Sequence, residues 1–179
     1  RRMLDDPRAK NAVYQFHRQW LHLDELDSLA KDDETFPKFE ASMTEDWEAS
    51  IRKFVVKTYF GTRSTVENLL TSPKVYLTDA LAELYGRDPK TGEGLQAYTF
   101  DADKRAGLLT QPALMGVLSN ANQSSPIRRG VWVRERLLCQ TLGSPPDGAN
   151  ITPPDPDPNA TTRERFRQHT KNPRGAGCH

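Results

Sequence analysis

The chain has 179 residues, with 25 Lys and Arg against 24 Asp and Glu for a formal net charge of +1, a balance that argues against a strongly basic nucleic-acid binder or an acidic solvating tail. The length buries a real core in one ordinary domain or two small ones and rules out a disulfide-stapled mini-protein. Two cysteines, Cys139 and Cys178, allow one bridge at most and cannot build a four-thiolate zinc site. The chain opens on Arg1 and closes on Cys178-His179, which reads as part of a motif, so a piece of a longer protein is expected. No run approaches the ~18 to 20 apolar residues of a membrane span.

In chain order, Val13, Phe16, Trp20 and Leu23 recur at three- and four-residue steps and predict an amphipathic helix over 12–26, with Gln15, Arg18, Gln19 and His22 on its polar face. Ser42 and Glu45 have capping-box spacing, so a second helix should start there, carry Trp47, Ile51, Phe54, Val55 and Tyr59, and stop near Gly61. A short helix over 65–70 must end before Pro73. Leu77, Leu81, Leu84 and Tyr85 mark a helix with Thr78 as cap and Gly86 as left-handed stop. The polar stretch from Arg87 to Gly94 has turn chemistry. Residues 97–100 alternate as a short strand would, with no evident partner.

Further along, Pro112 leads into one or two helical turns over 113–118, and Ser125-Pro126 starts a helix with Ile127, Val131, Arg134 and Leu138 on one face. Six of the 13 prolines fall between Leu142 and Asn159, an extended connector suited to spacing. Thr161 and Glu164 repeat the capping-box spacing before a last helix that runs to about His169.

The sharpest chemical feature is the C-terminal Gly175-Ala176-Gly177-Cys178-His179. A c-type haem takes two thiols three residues apart for its thioethers, and the histidine after the second thiol ligates iron. Here Gly175 stands at the first thiol position, so the alternative is a glycine-bearing tail with a free thiol. Cys139, after Leu137-Leu138, is expected to pack as a small hydrophobe, and an oxidising compartment would permit its disulfide with Cys178. His17 and His22, five apart, do not align for metal ligation and read as surface or boundary residues. Asp147, Asp155 and Asp157 read as a solvated linker rather than a calcium loop. Arg128, Arg129, Arg134 and Arg136 form a basic helical patch around Trp132, able to hold a phosphate or carboxylate, or simply solvated and salt-bridged.

The blocks from Gln15 to Asp24, Trp47 to Tyr59, Val66 to Thr71 and Leu81 to Gly86 resemble the bacterial domain-of-unknown-function family 1592. Those from Arg105 to Gln111, Ser125 to Gly130 and Arg134 to Cys139, with the proline tract and Thr161 to Arg165, resemble its usual companion, family 1588. The resemblance implies a parent of the exported, multidomain, c-type-cytochrome-like kind, in the periplasm or outside the cell. It assigns Cys178 to the second thioether and His179 to the iron of a haem c, with Gly175 departing from the pattern.

The resulting expectation is a mainly α, irregular multi-helix fold with long loops and a proline-rich extended connector, in two modules, 1–95 and 96–179. No catalytic set is present, so the expected role is non-catalytic, helping to position a haem for electron transfer, with a redox partner or a haem domain of the same parent chain as partner. No nucleic-acid partner is expected. The alternative is an extracellular polymer- or protein-binding module with a vestigial haem motif, in which exposed aromatics such as Trp132 or Tyr98 would carry recognition.

Overall fold

The computed structural model describes residues 2–144, 153–157 and 159–171. In chain order these form helix α1 (Arg8–Trp20), a 3-10 turn (Leu23–Ser28), α2 (Met43–Tyr59), α3 (Val66–Thr71), strand β1 (Lys74–Leu77), α4 (Asp79–Leu84), β2 (Gln96–Thr99), a second 3-10 turn (Leu108–Thr110), α5 (Pro112–Val117), α6 (Pro126–Trp132), a π-helical turn (Val133–Leu137) and α7 (Thr162–Lys171). The fold is mainly helical, as the periodicity predicts. Packing divides it into two units, Arg1–Ala121 and Asn122–His179. The border expected between residues 95 and 96 falls inside the first unit, immediately before β2.

Helix starts follow local side-chain chemistry. The Thr65 hydroxyl accepts from the Asn68 N–H (3.0 Å), Thr78 from Leu81 (3.4 Å) and Ser125 from Arg128 (3.2 Å), each satisfying an amide that has no partner within the helix. At α7 the full capping box forms: the Glu164 carboxylate accepts from the Thr161 N–H (2.8 Å), and the Thr161 hydroxyl accepts from the Glu164 N–H (3.3 Å). These bonds hold the Glu164 carboxyl below its ordinary range. The box expected at Ser42 does not form. Ser42 already has helical dihedrals, and the amides of Met43, Thr44 and Glu45 donate to the carbonyls of Glu40, Ala41 and Ser42, so the hydroxyl has no amide left to satisfy.

In the first unit α2 is the central element, with Trp47, Ile51, Phe54 and Val55 buried against α1, β1, α5 and the first 3-10 turn. Leu21, Leu23, Leu26, Leu77, Leu81, Leu108 and Leu114 complete the core, each fully buried side chain contributing roughly 1.5–3 kcal/mol. Gly116 of α5 lets that helix close on the Trp47 ring, where a Cβ would fall 2.6 Å from Cζ3. Lys31 ties the other side, its ammonium donating to the Gly116 and Asn120 carbonyls (both 3.2 Å) and the Ser119 hydroxyl (2.5 Å).

Four expectations in this unit are corrected. The first helix ends at Trp20 rather than running to Leu26, because His22 turns left-handed (φ 54°) and Leu23 and Leu26 reach the core from the 3-10 turn. With that break the buried line becomes Tyr14, His17 and Leu21, while Phe16 is 60% exposed. His17, expected at the surface or boundary, is therefore fully buried. Finally, Lys74–Leu77 is a strand: it pairs antiparallel with β2 in the register Val75 with Tyr98 and Leu77 with Gln96. Tyr98, read as an exposed aromatic, is buried, its hydroxyl accepting from the Lys90 N–H (3.0 Å) and donating to the Asp88 carbonyl (3.2 Å).

In the second unit Trp132, also read as exposed, is buried. The π-helical turn that follows adds a residue to the helical register, with Leu138 N–H reaching the Val133 carbonyl (3.0 Å), so the expected face of Val131, Arg134 and Leu138 is solvent-facing. Cys139 does not pack: it is exposed, free and left-handed (φ 53°), just past the end of that turn. Residues 153–157 of the proline tract have no regular secondary structure and are stitched down. The guanidinium of Arg165 donates to the Gln123 side chain (2.7 Å), the Asp155 carbonyl (3.0 Å) and the Thr162 hydroxyl (3.2 Å), and the Gln123 amide donates to the Pro154 carbonyl (3.3 Å).

Candidate functional site

The first unit carries an open cleft of about 580 Å³ lined by Leu84, Tyr85, Gly86, Arg87, Phe100 and Arg105. Helix α4 ends in a left-handed Gly86 (φ 64°), whose N–H donates to the Glu83 carbonyl (2.9 Å), while the Arg87 N–H donates to Ala82 (2.8 Å). This paired closure fixes where Tyr85 and Arg87 leave the helix. Phe100 continues the line of β2, its N–H donating to the Pro73 carbonyl (3.0 Å). A turn then forms around Asp101, which accepts at its side chain from the Asp103 N–H (3.1 Å) and at its carbonyl from the Lys104 (3.0 Å) and Arg105 (2.9 Å) amides. Arg105 is thereby returned to the rings.

The four side chains form one cluster. The Arg105 guanidinium lies 4.4 Å from the centre of the Tyr85 ring and 5.2 Å from that of Phe100, with Arg87 4.8 Å from Phe100. The rings meet edge to face at 5.8 Å. Cation–ring attraction and ring–ring packing hold the four groups together. Burial pushes the Tyr85 phenol above its ordinary value, opposed by the Arg105 charge and a hydrogen bond to it. The cleft thus presents two guanidinium groups beside two rings.

A second polar cluster joins α1 to α2. The Tyr14 hydroxyl donates to the Glu48 carboxylate (2.5 Å), which also accepts from Arg18 (2.9 Å). Burial first, then the Glu48 carboxylate, pushes the Tyr14 phenol far up. Beside it His17 sits against Phe16, Trp20 and Tyr59 with ring centres 5.1–5.7 Å away. Its Nδ1 donates to the Val13 carbonyl (2.8 Å), and Nε2 has no hydrogen-bond partner among the described residues. These groups serve packing between the two helices.

Of the residues singled out from sequence, Cys178, His179 and Gly175 lie outside the described residues, as do Asp147 and any pairing of Cys178 with Cys139. Among the described residues no three His, Cys, Asp or Glu side chains group as metal ligands. The basic patch is split by the π-helical turn, with Arg134 donating to the Gln140 side chain (2.8 Å). Sequence reading missed the cleft because Arg87 and Arg105 sit in loops 18 positions apart. The available signal was the repeated pairing of a ring with a following arginine, Tyr85 with Arg87 and Phe100 with Arg105.

Comparison with curated proteins and with solved structures returns no match. Two family descriptions do match: PSD4, protein of unknown function (DUF1592), over residues 1–86, and PSCyt3, protein of unknown function (DUF1588), over residues 105–179. The cleft takes residues from the first match, from the stretch between and from the first residue of the second. The chain thus carries a DUF1592 region followed by a DUF1588 region.

Proposed function

We propose that the chain is a non-catalytic interaction part of a larger exported, c-type-cytochrome-like protein and helps to position a haem for electron transfer. The observation that carries the non-catalytic half is the make-up of the Arg87–Arg105 cleft. Guanidinium keeps its proton throughout the physiological range, and the raised Tyr85 phenol stays neutral, so the cleft binds without supplying a base or nucleophile.

The haem half rests on the resemblance and on the donor set of the C-terminus. One thiol, Cys178, and one imidazole, His179, suit a single thioether and one axial ligand; with Gly175 three residues before Cys178, they do not suit two-point attachment. Bound there, the group would supply one-electron transfer at its iron. The expected partner is a redox protein or another haem domain of the same parent, in the periplasm or outside the cell. The test is a pyridine haemochrome spectrum of the full-length parent expressed with a cytochrome c maturation system. A covalent haem lost in Cys178→Ser supports the reading. No haem, with none gained in Gly175→Cys, overturns it.

The second reading, a binding module for an extracellular polymer or protein, is favoured by Gly175 and by the exposure of Phe16, which stacks on Trp20 with ring centres 6.0 Å apart. Phe16→Ala would weaken polymer or partner capture on this reading and leave haem content unchanged.

A further inference from the structure

We infer that the cleft between Arg87 and Arg105 is a binding site for an oxyanion, a carboxylate or a phosphate, carried by an extended or ring-shaped ligand. This rests on the binding half of the proposed function and is independent of the haem.

The first argument is what the two arginines lack. Arg8 and Arg18 of the same unit each meet a carboxylate, at 2.7 and 2.9 Å. Arg87 and Arg105 form no ion pair with a carboxylate of the described residues. In the Arg105 turn, Asp101 is already engaged by the Asp103 N–H and, at 3.9 Å, by the Lys104 ammonium. Two cations held against one ring repel each other, and an anion between them relieves that repulsion.

The second argument is preorganisation. Both guanidinium carbons approach the same Phe100 ring, at 4.8 and 5.2 Å, so one ligand can meet both. Backbone closures on either side hold the arms: the Gly86 helix stop for Arg87 and the Asp101 turn for Arg105. Arg105 spends a hydrogen bond on the Tyr85 phenol, and the remaining N–H groups of the two arginines can grip an anion, since guanidinium matches carboxylate and phosphate. Little side-chain entropy is then lost when the anion arrives. The size of the cleft, about 580 Å³, lies within the range of small-molecule sites.

Carboxylate and phosphate share this chemistry, and the sources differ: a free anion or an acidic saccharide bearing uronate groups. Calorimetric titration of the full chain with inorganic phosphate, citrate and a galacturonate oligomer, with a neutral galactose oligomer as control, distinguishes them. At least one anionic probe should bind and the neutral one should not. Arg87→Gln, at an exposed side chain that leaves the fold intact, should weaken binding about tenfold. Arg105→Lys keeps the charge, loses the fork and should weaken it by a similar factor. Raising the salt concentration should weaken all binding. Preference for the galacturonate oligomer identifies a saccharide source, and binding of phosphate or citrate alone identifies a free anion. Absence of binding by all three anions, or binding unchanged in Arg87→Gln, overturns the inference. That failure would leave the haemochrome result standing, and a parent without haem would leave the oxyanion site standing.

Discussion

The Gly107 N–H donates to the Ser72 carbonyl at 2.7 Å, which brings its α-carbon so close to the last turn of α3 that a Cβ would overlap the Leu70 carbonyl. Its dihedrals, φ 57° and ψ −156°, belong to a region essentially reserved for glycine. Gly107→Ala therefore combines backbone strain with a clash against backbone that cannot move aside. A loss of more than about 2 kcal/mol is expected, read as a lowered urea midpoint at unchanged m. By contrast, Gly130→Ala, whose Cβ meets nothing within 4 Å, should be neutral or slightly stabilising.

His17 makes stability depend on pH. Burial holds its imidazole below the ordinary value of 6.5, against the weaker opposing pull of the Val13 carbonyl. As pH falls through about 6.5 the unfolded chain takes up this proton before the folded one, so stability declines until the folded pKa is reached. Above about 6.5 the contribution is complete and flat. Urea midpoints measured across that window should fall on acidification in the native protein, and the component due to His17 should vanish in His17→Leu. An unchanged slope in His17→Leu would place the titration elsewhere.

Cys139 is exposed and free, in a left-handed conformation that costs a side-chain-bearing residue about 1 kcal/mol. In a Cys178→Ser background it should react stoichiometrically with a thiol reagent under native conditions. Cys139→Gly should raise the melting temperature or leave it unchanged, whereas a packed cysteine would lose stability.

Arg165 stitches the described part of the proline tract to α7 and to Gln123. Arg165→Met keeps the apolar stem and removes the donors, and should cost about 2 kcal/mol. Limited proteolysis reads it directly, with faster cleavage between Pro153 and Asp157 and little change in the first unit.

How much was legible follows from how local each determinant is. The caps expected at Thr78, Ser125 and Thr161 depend on a few adjacent residues, and all three form, whereas the one expected at Ser42 gives way to backbone bonds. Gly86 was legible for the same reason. Strand β1 was not: Val75 and Leu77 also suit the first turn of the helix that follows, and only pairing with β2, about twenty residues on, decides for extended backbone. His17 was misplaced because one left-handed residue, His22, changes which line of α1 faces α2. The cleft depends on two loop closures and a sheet bond at once, none of which leaves a periodic trace.

The second family description begins at residue 105, and its first stretch is the part of the chain that closes the first unit. Gln111, fully buried, donates to the Lys74 carbonyl of β1 at 3.1 Å, and α5 lies under Trp47. Inheritance and folding therefore divide this protein at different places. A gene fusion made between residues 86 and 96 would separate β1 from β2 and leave the α2 side of the core without α5, whereas one made after Ala121 would pass a whole unit to its new host. In this chain the two matched regions share one core.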